Sequence, residues 1–170
     1  NTQKIMEEVA DIIDSIIDFS QYDNDGDGYV DAVLIMHAGR GAEQSGACDI
    51  WSHKWGITPR IKDGVRIMEY AIVPEYWINP GSMTIGVYAH ETGHLFGLPD
   101  MYGQSGIVGQ WGLMGSGSWN GALGSSPAHL DAWSKTELRF VTPSTISSSP
   151  ANVNLPNVED NPVIYKLWKD

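Results

Sequence analysis

Residues 90–100 read His-Glu-Thr-Gly-His-Leu-Phe-Gly-Leu-Pro-Asp, and no other stretch of the chain restricts its fold as tightly. Two histidines four apart share one face within reach of a single ion on a helix, whereas on a strand they would stand ~13 Å apart, so the run predicts a helix over Ser82 to Phe96. It follows Asn79-Pro80-Gly81, and Ser82 or Asn79 is the expected N-cap. Gly97 is the expected stop, because glycine enters the left-handed region without a side-chain penalty. On that helix His90 and His94 can reach one ion, and Glu91 sits beside them to handle protons of a metal-bound water.

A catalytic zinc takes three protein ligands and keeps one position open for water. Downstream carboxylates are few: Asp100, Asp131, Glu137, Glu159, Asp160 and Asp170. Asp100 is favoured, because a sharp turn at Gly97 lets a residue three positions later fold back under the ion. The rival layout, a glutamate ~20 or more residues downstream on a second helix, finds no convincing match. Two histidines and an aspartate leave the site less positive than three histidines would, so the bound water is expected to be somewhat less acidic and Glu91 to carry more of the proton transfer. The plainer alternative has both histidines as ordinary helix residues near the core; Gly97 and Asp100 at this spacing argue against it.

Residues 3 to 19 place Ile5, Val9, Ile12, Ile13, Ile16 and Phe19 at helical spacing with acids opposite, which predicts an amphipathic helix packed on a core. Tyr29 to His37 reads as a strand with a buried centre, and Ile50 to Trp55 as a second. A turn at Lys62-Asp63-Gly64 leads into a strand from Val65 to Val73. Residues 66 to 73 are the candidate edge strand for substrate docking. From Gly97 to Ser126 the chain is glycine-rich loop, followed by a helix over Pro127 to Leu138 with Leu130, Trp133 and Leu138 facing inward. Beyond Pro143 the composition turns to Ser, Pro and Asn, ending in a strand-like run at 163 to 168. The division expected is 1–143 as a catalytic domain and 144–170 as a linker with the start of a truncated β-rich region.

Asp23-Asn24-Asp25-Gly26-Asp27-Gly28-Tyr29-Val30-Asp31 alternates carboxylates as the first half of an EF-hand loop does. Asp23, Asp25, Asp27 and Asp31, with the Tyr29 carbonyl, can converge on one calcium ion, and their mutual repulsion without a cation favours that reading. The second half departs from the pattern: position 34 is leucine, and a strand follows. A polar Asx-type turn is the alternative.

HExxHxxGxxD followed by Gly112-Leu113-Met114-Gly115-Ser116-Gly117-Ser118-Trp119-Asn120-Gly121 resembles the immune inhibitor A-type secreted metallopeptidases of the metzincin clan. Leu98-Pro99-Asp100-Met101-Tyr102 and the later SPAHLDAWSKTEL segment strengthen the resemblance, which spans roughly residues 20 to 143. It implies an α/β (α+β) metzincin-like zincin domain: a mixed twisted sheet, a backing helix, an active-site helix, a Met-turn and a C-terminal helix. It also implies zinc on His90, His94 and Asp100, Glu91 as general base, and Met114 at the methionine turn beneath the metal. Such families often carry calcium loops; a propeptide absent from this chain is also expected. Several relatives in the wider clan carry a tyrosine two positions after the turn methionine; here that position is Ser116. Tyr102 is the substitute to consider, although packing is its plainer role, as loop anchoring is for Trp111 and Trp119.

A formal net charge of −11 argues against nucleic acid as a partner. No apolar stretch approaches the ~18 residues of a membrane span. The start at Asn1, without a signal peptide or initiator methionine, reads as a processed or trimmed piece. Cys48 is the single cysteine, which excludes an internal disulfide, and burial as a small residue is its expected role. His37 ends an apolar run, where a hydrogen-bonded core or strand-end role is expected, and His53 and His129 have no partner at metal spacing. The reading from sequence is a secreted zinc endopeptidase acting on protein or peptide substrates. The alternatives are a calcium-stabilised binding module with a decayed site and a zinc hydrolase of a non-peptide substrate.

Overall fold

The computed structural model describes residues 2–46, 48–103, 108–147 and 152–167. The chain is mixed α/β and divides into two compact units, Asn1–Pro99 and Asp100–Asp170.

The first unit is built on a three-stranded sheet in the order β1-β3-β2, with β1 at Leu34–Arg40, β2 at His53–Lys62 and β3 at Val65–Tyr76. β2 and β3 form an antiparallel hairpin closed by Asp63 and Gly64, whose φ values of 50° and 85° are those of a type I′ turn. β1 lies parallel to β3 on the other side. β3 is therefore the central strand, and the expectation that residues 66 to 73 form an edge is overturned. The reason is visible in its residues: Tyr70 to Pro74 are buried without alternation, as in a strand covered on both faces. β1 is an edge strand of alternating burial, with Met36 59% exposed, so the buried centre expected there is also absent.

Helix α1, Thr2–Ile13, is shorter than expected and turned by about one residue. Met6 and Ala10 are buried against Phe19, Ile57, Ile67, Tyr70 and Ile72, with Ile13 and Ile17 packed alongside. Ile5, Ile12 and Ile16, taken from the sequence as core, face solvent. Two apolar stripes compete on this helix. The seated one includes Ala10, whose small side chain lets the helix approach the sheet, and it places acids toward β2. Arg60 meets Glu7 at 3.1 Å and Asp11 at 3.8 Å, and Lys62 meets Asp11 at 3.0 Å and Asp14 at 3.2 Å. The hydrogen bond from Lys62 holds the Asp11 carboxyl below its ordinary value, and Asp11 and Asp14 in turn raise Lys62. This contribution to stability is present at neutral pH and is lost in acid as Asp11 protonates, and in strong base as Lys62 deprotonates.

In the second unit, 3₁₀ turns at Gly109–Trp111 and Ser116–Trp119 flank the fully buried Met114, whose carbonyl accepts the Met101 amide at 2.7 Å. Glycine is required here by close approach. A Cβ on Gly117 would lie 2.6 Å from the Gly112 carbonyl oxygen, 2.8 Å from that of Gln110 and 2.8 Å from the Ala128 Cβ. Gly117→Ala is therefore expected to destabilise the second unit by about 1–3 kcal/mol, measured as a lowered urea midpoint; an unchanged midpoint would show that the turn relaxes freely.

Helix α4 spans only Ala132–Glu137. Asp131 caps it, accepting from the Trp133 and Ser134 amides and from the Ser134 hydroxyl. Ser134 is its buried residue; of the residues expected inward, Leu130 and Leu138 are half-buried, whereas Trp133 is 47% exposed. Short strands β4, Ser144–Thr145, and β5, Tyr165–Lys166, pair in parallel; Trp168 lies outside the described residues. Trp111 is 90% exposed and Tyr102 54%, so neither is a packing anchor, and Cys48 is exposed rather than buried. Among the described residues no helix is long and apolar enough to cross a membrane.

Candidate metal centre and active site

Helix α3 runs Ile85–Leu95, with Thr84 at the N-cap. Ser82, expected to cap it, serves the loop before it: its hydroxyl accepts the amides of Trp77, Ile78 and Asn79 at 3.0–3.2 Å. The Trp77 indole donates to the Thr84 hydroxyl at 3.3 Å, tying the start of α3 to the end of β3. Mid-helix, the Tyr88 hydroxyl donates to the Pro74 carbonyl of β3 at 3.3 Å, and burial raises the Tyr88 phenol above its ordinary value. Thr92 donates back to the Tyr88 carbonyl at 2.7 Å.

The helix ends as the sequence predicts, and the ending has a consequence for the site. Gly97 has φ 87°, its amide reaches the His94 carbonyl at 3.0 Å, and the Leu98 amide reaches the Gly93 carbonyl at 3.0 Å. This paired pattern is a Schellman motif. It brings the Leu98 carbonyl back over the helix, where it accepts the His94 Nδ1–H at 2.7 Å. That bond selects the tautomer whose Nε2 carries a lone pair and fixes the ring's orientation. The sequence reading missed Leu98, although Gly97 signals it: the residue immediately after a left-handed helix stop is the one whose peptide folds back.

His90 and Glu91 are buried on α3, 5% and 6% exposed. The Nε2 atoms of His90 and His94 lie 3.1 Å apart, with their rings nearly perpendicular. Nitrogens each ~2.05 Å from one tetrahedral zinc would be separated by about 3.3 Å, so this spacing fits a shared ion. His90, His94 and Asp100 each offer a ligand atom within 4.8 Å of the others. The grouping arises within one continuous eleven-residue run, from the backbone between His94 and Asp100. Two imidazoles and a carboxylate are a donor set that zinc accepts and that calcium and magnesium, which favour all-oxygen sites, do not.

In the acidic loop, Asp23, Asp25 and Asp27 also lie within 4.8 Å of one another. Their oxygens accept backbone amides in Asx fashion: Asp23 from Asp27 and Gly28, Asp25 from Asp27, and Asp27 from Tyr29. Asp31 is not in that grouping; its Oδ2 accepts from the Asn24 amide and side chain. The Tyr29 side chain lies against Arg66. His37, His53 and His129 join neither group; His53 bonds Thr2, Tyr70 and the Trp51 carbonyl.

Residues 8–141 match the family described as "Immune inhibitor A peptidase M6, catalytic domain", and the chain belongs to that family. It is 32% identical over 157 residues to Immune inhibitor A of Bacillus thuringiensis subsp. alesti, covering 72% of this chain and 22% of that protein. It is 35% identical over 130 residues to the Pre-pro-metalloprotease PrtV of Vibrio cholerae serotype O1 (strain M66-2), covering 66% of this chain and 14% of that protein. The chain thus spans less than a quarter of the length of either relative.

Proposed function

We propose that the chain is the catalytic domain of a secreted zinc endopeptidase acting on protein or peptide substrates. The reading rests above all on one observation: His90, His94 and Asp100 present ligand atoms within 4.8 Å of one another, with Glu91 buried beside the first of them. His90, His94 and Asp100 hold the zinc, and the Schellman turn at Gly97 presents both the Leu98 carbonyl and Asp100. When bound, the ion makes a water more acidic and polarises a carbonyl. Glu91 takes the proton of the attacking water and later delivers it to the leaving amine nitrogen. Burial of Glu91 keeps bulk water from competing for that proton. Met114 is assigned to a methionine turn beneath the metal and the fold to the metzincin type; the family match over 8–141 supports 1–143 as the catalytic domain. A propeptide, as the name of the Vibrio relative suggests, is part of this reading.

The test is cleavage of an unfolded protein such as casein, with metal analysis of the same preparation. We expect about one zinc per chain and proteolysis stopped by a chelator and restored by zinc. Absence of both zinc and cleavage leaves the decayed binding module. Zinc with hydrolysis confined to non-peptide esters or amides replaces the peptidase reading.

The acidic loop is assigned a structural calcium, held by Asp23, Asp25 and Asp27 with the Tyr29 carbonyl and Asp31. Calcium at ~100 times its Kd adds about 2.7 kcal/mol, which corresponds to a Tm rise of roughly 5–10 °C for a chain of this size. Asp25→Asn should reduce that rise. A Tm indifferent to calcium leaves the loop as an Asx turn.

A further inference from the structure

We infer that Tyr88 is a positioning residue for the metal centre, acting through the roll of α3 on β3; this rests on the zinc-peptidase reading of His90, Glu91 and His94. Apolar contacts between a helix and a sheet fix the helix's rotation only through the fit of side-chain shapes, because the hydrophobic effect itself carries no direction. A hydrogen bond does carry one. The Tyr88 hydroxyl donates to the carbonyl of Pro74, a residue wholly buried in the central strand. Tyr88 lies two positions before His90 and three before Glu91 in the same 11-residue helix. At about 100° per residue, Glu91 shares its face and His90 lies nearly opposite.

Anchoring the 88 position to β3 therefore fixes the direction in which the His90 ring and the Glu91 carboxylate project. The Thr92 hydroxyl donates to the Tyr88 carbonyl in the same turn. The clamp has a second point at the helix start, where Trp77 bonds Thr84. Two points on one helix define its roll, and the Leu98 carbonyl then sets only the His94 ring. Tyr88 touches neither ion nor substrate; its contribution is the azimuth of the residues that do.

Tyr88→Phe removes the directional bond and leaves the packing ring. The expected result is a zinc Kd, by chelator competition, raised about tenfold, the lower end of the range for groups that orient ligands. On a fluorogenic peptide kcat should fall about as much with KM unchanged. Arg60→Ala, which loosens α1 from β2 by removing the contacts to Glu7 and Asp11, is the control for general weakening. Parental zinc affinity and kcat in Tyr88→Phe overturn the inference, and so does an equal loss of zinc affinity in Arg60→Ala. Should Tyr88→Phe not fold, Tyr88→Leu, which also lacks a donor and keeps an apolar side chain, takes its place under the same criteria. A parent chain that neither binds zinc nor cleaves peptides defeats the underlying function instead, so the two failures are separable.

Discussion

Replacing Glu91 with alanine is expected to leave a folded chain that binds zinc as the parent does and cleaves casein 10²- to 10⁴-fold more slowly, the range for loss of a positioned general base. The expectation follows from where Glu91 stands. It shares α3 with His90 and His94 but is absent from the His90, His94 and Asp100 grouping. Its removal therefore spares the ligand set and abolishes proton transfer from the attacking water. Zinc stoichiometry and kcat/KM are measured on the same preparation. Undiminished proteolysis would remove Glu91 from the base role, and loss of zinc with activity would make it a metal-holding residue. Glu91→Gln, of nearly the same volume, distinguishes lost chemistry from a packing defect.

Local chemistry was legible in the sequence and long-range packing was not. The stop at Gly97 and the hairpin turn at Asp63-Gly64 depend on backbone conformations that few residues adopt, and both occur where the residues predict them. The meeting of His90, His94 and Asp100 was readable because all three lie in one short run. The seated face of α1 was misread because two apolar stripes satisfy the same period; the seated one buries Met6 and Ala10 and sets Glu7, Asp11 and Asp14 against Arg60 and Lys62 of β2. Hydrophobicity sees both stripes as equal; charge partners some fifty positions away do not. The central place of β3 depends likewise on β1 pairing along its far side, a contact that local pattern does not encode. Ser82 misled for a related reason: a hydroxyl suited to cap a helix is equally suited to gather the amides of the loop before it.

Asp100→Ala should be the most damaging single change to metal affinity outside the histidine pair. HExxH supplies two ligands, and two ligands hold zinc weakly. If a four-ligand structural site contributes about 10–16 kcal/mol in all, one ligand accounts for roughly 3 kcal/mol, or on the order of 10²-fold in Kd. The rival downstream carboxylates can be separated by their employment in the structure. Asp131 is committed to capping α4, taking both backbone amides and the Ser134 hydroxyl. Asp131→Ala is therefore expected to cost about 1 kcal/mol of stability and to leave zinc affinity unchanged. Glu137 is exposed at the end of the same short helix. The pair of variants forms a crossed test: Asp100→Ala loses zinc at nearly constant Tm of the metal-free protein, while Asp131→Ala loses Tm at constant zinc affinity. If Asp100→Ala keeps parental affinity, the third ligand lies elsewhere, and with it fails the two-histidine, one-aspartate site. If affinity falls as expected, Gly97 acquires its full meaning, since its left-handed turn then places a ligand and, through the Leu98 carbonyl, orients another.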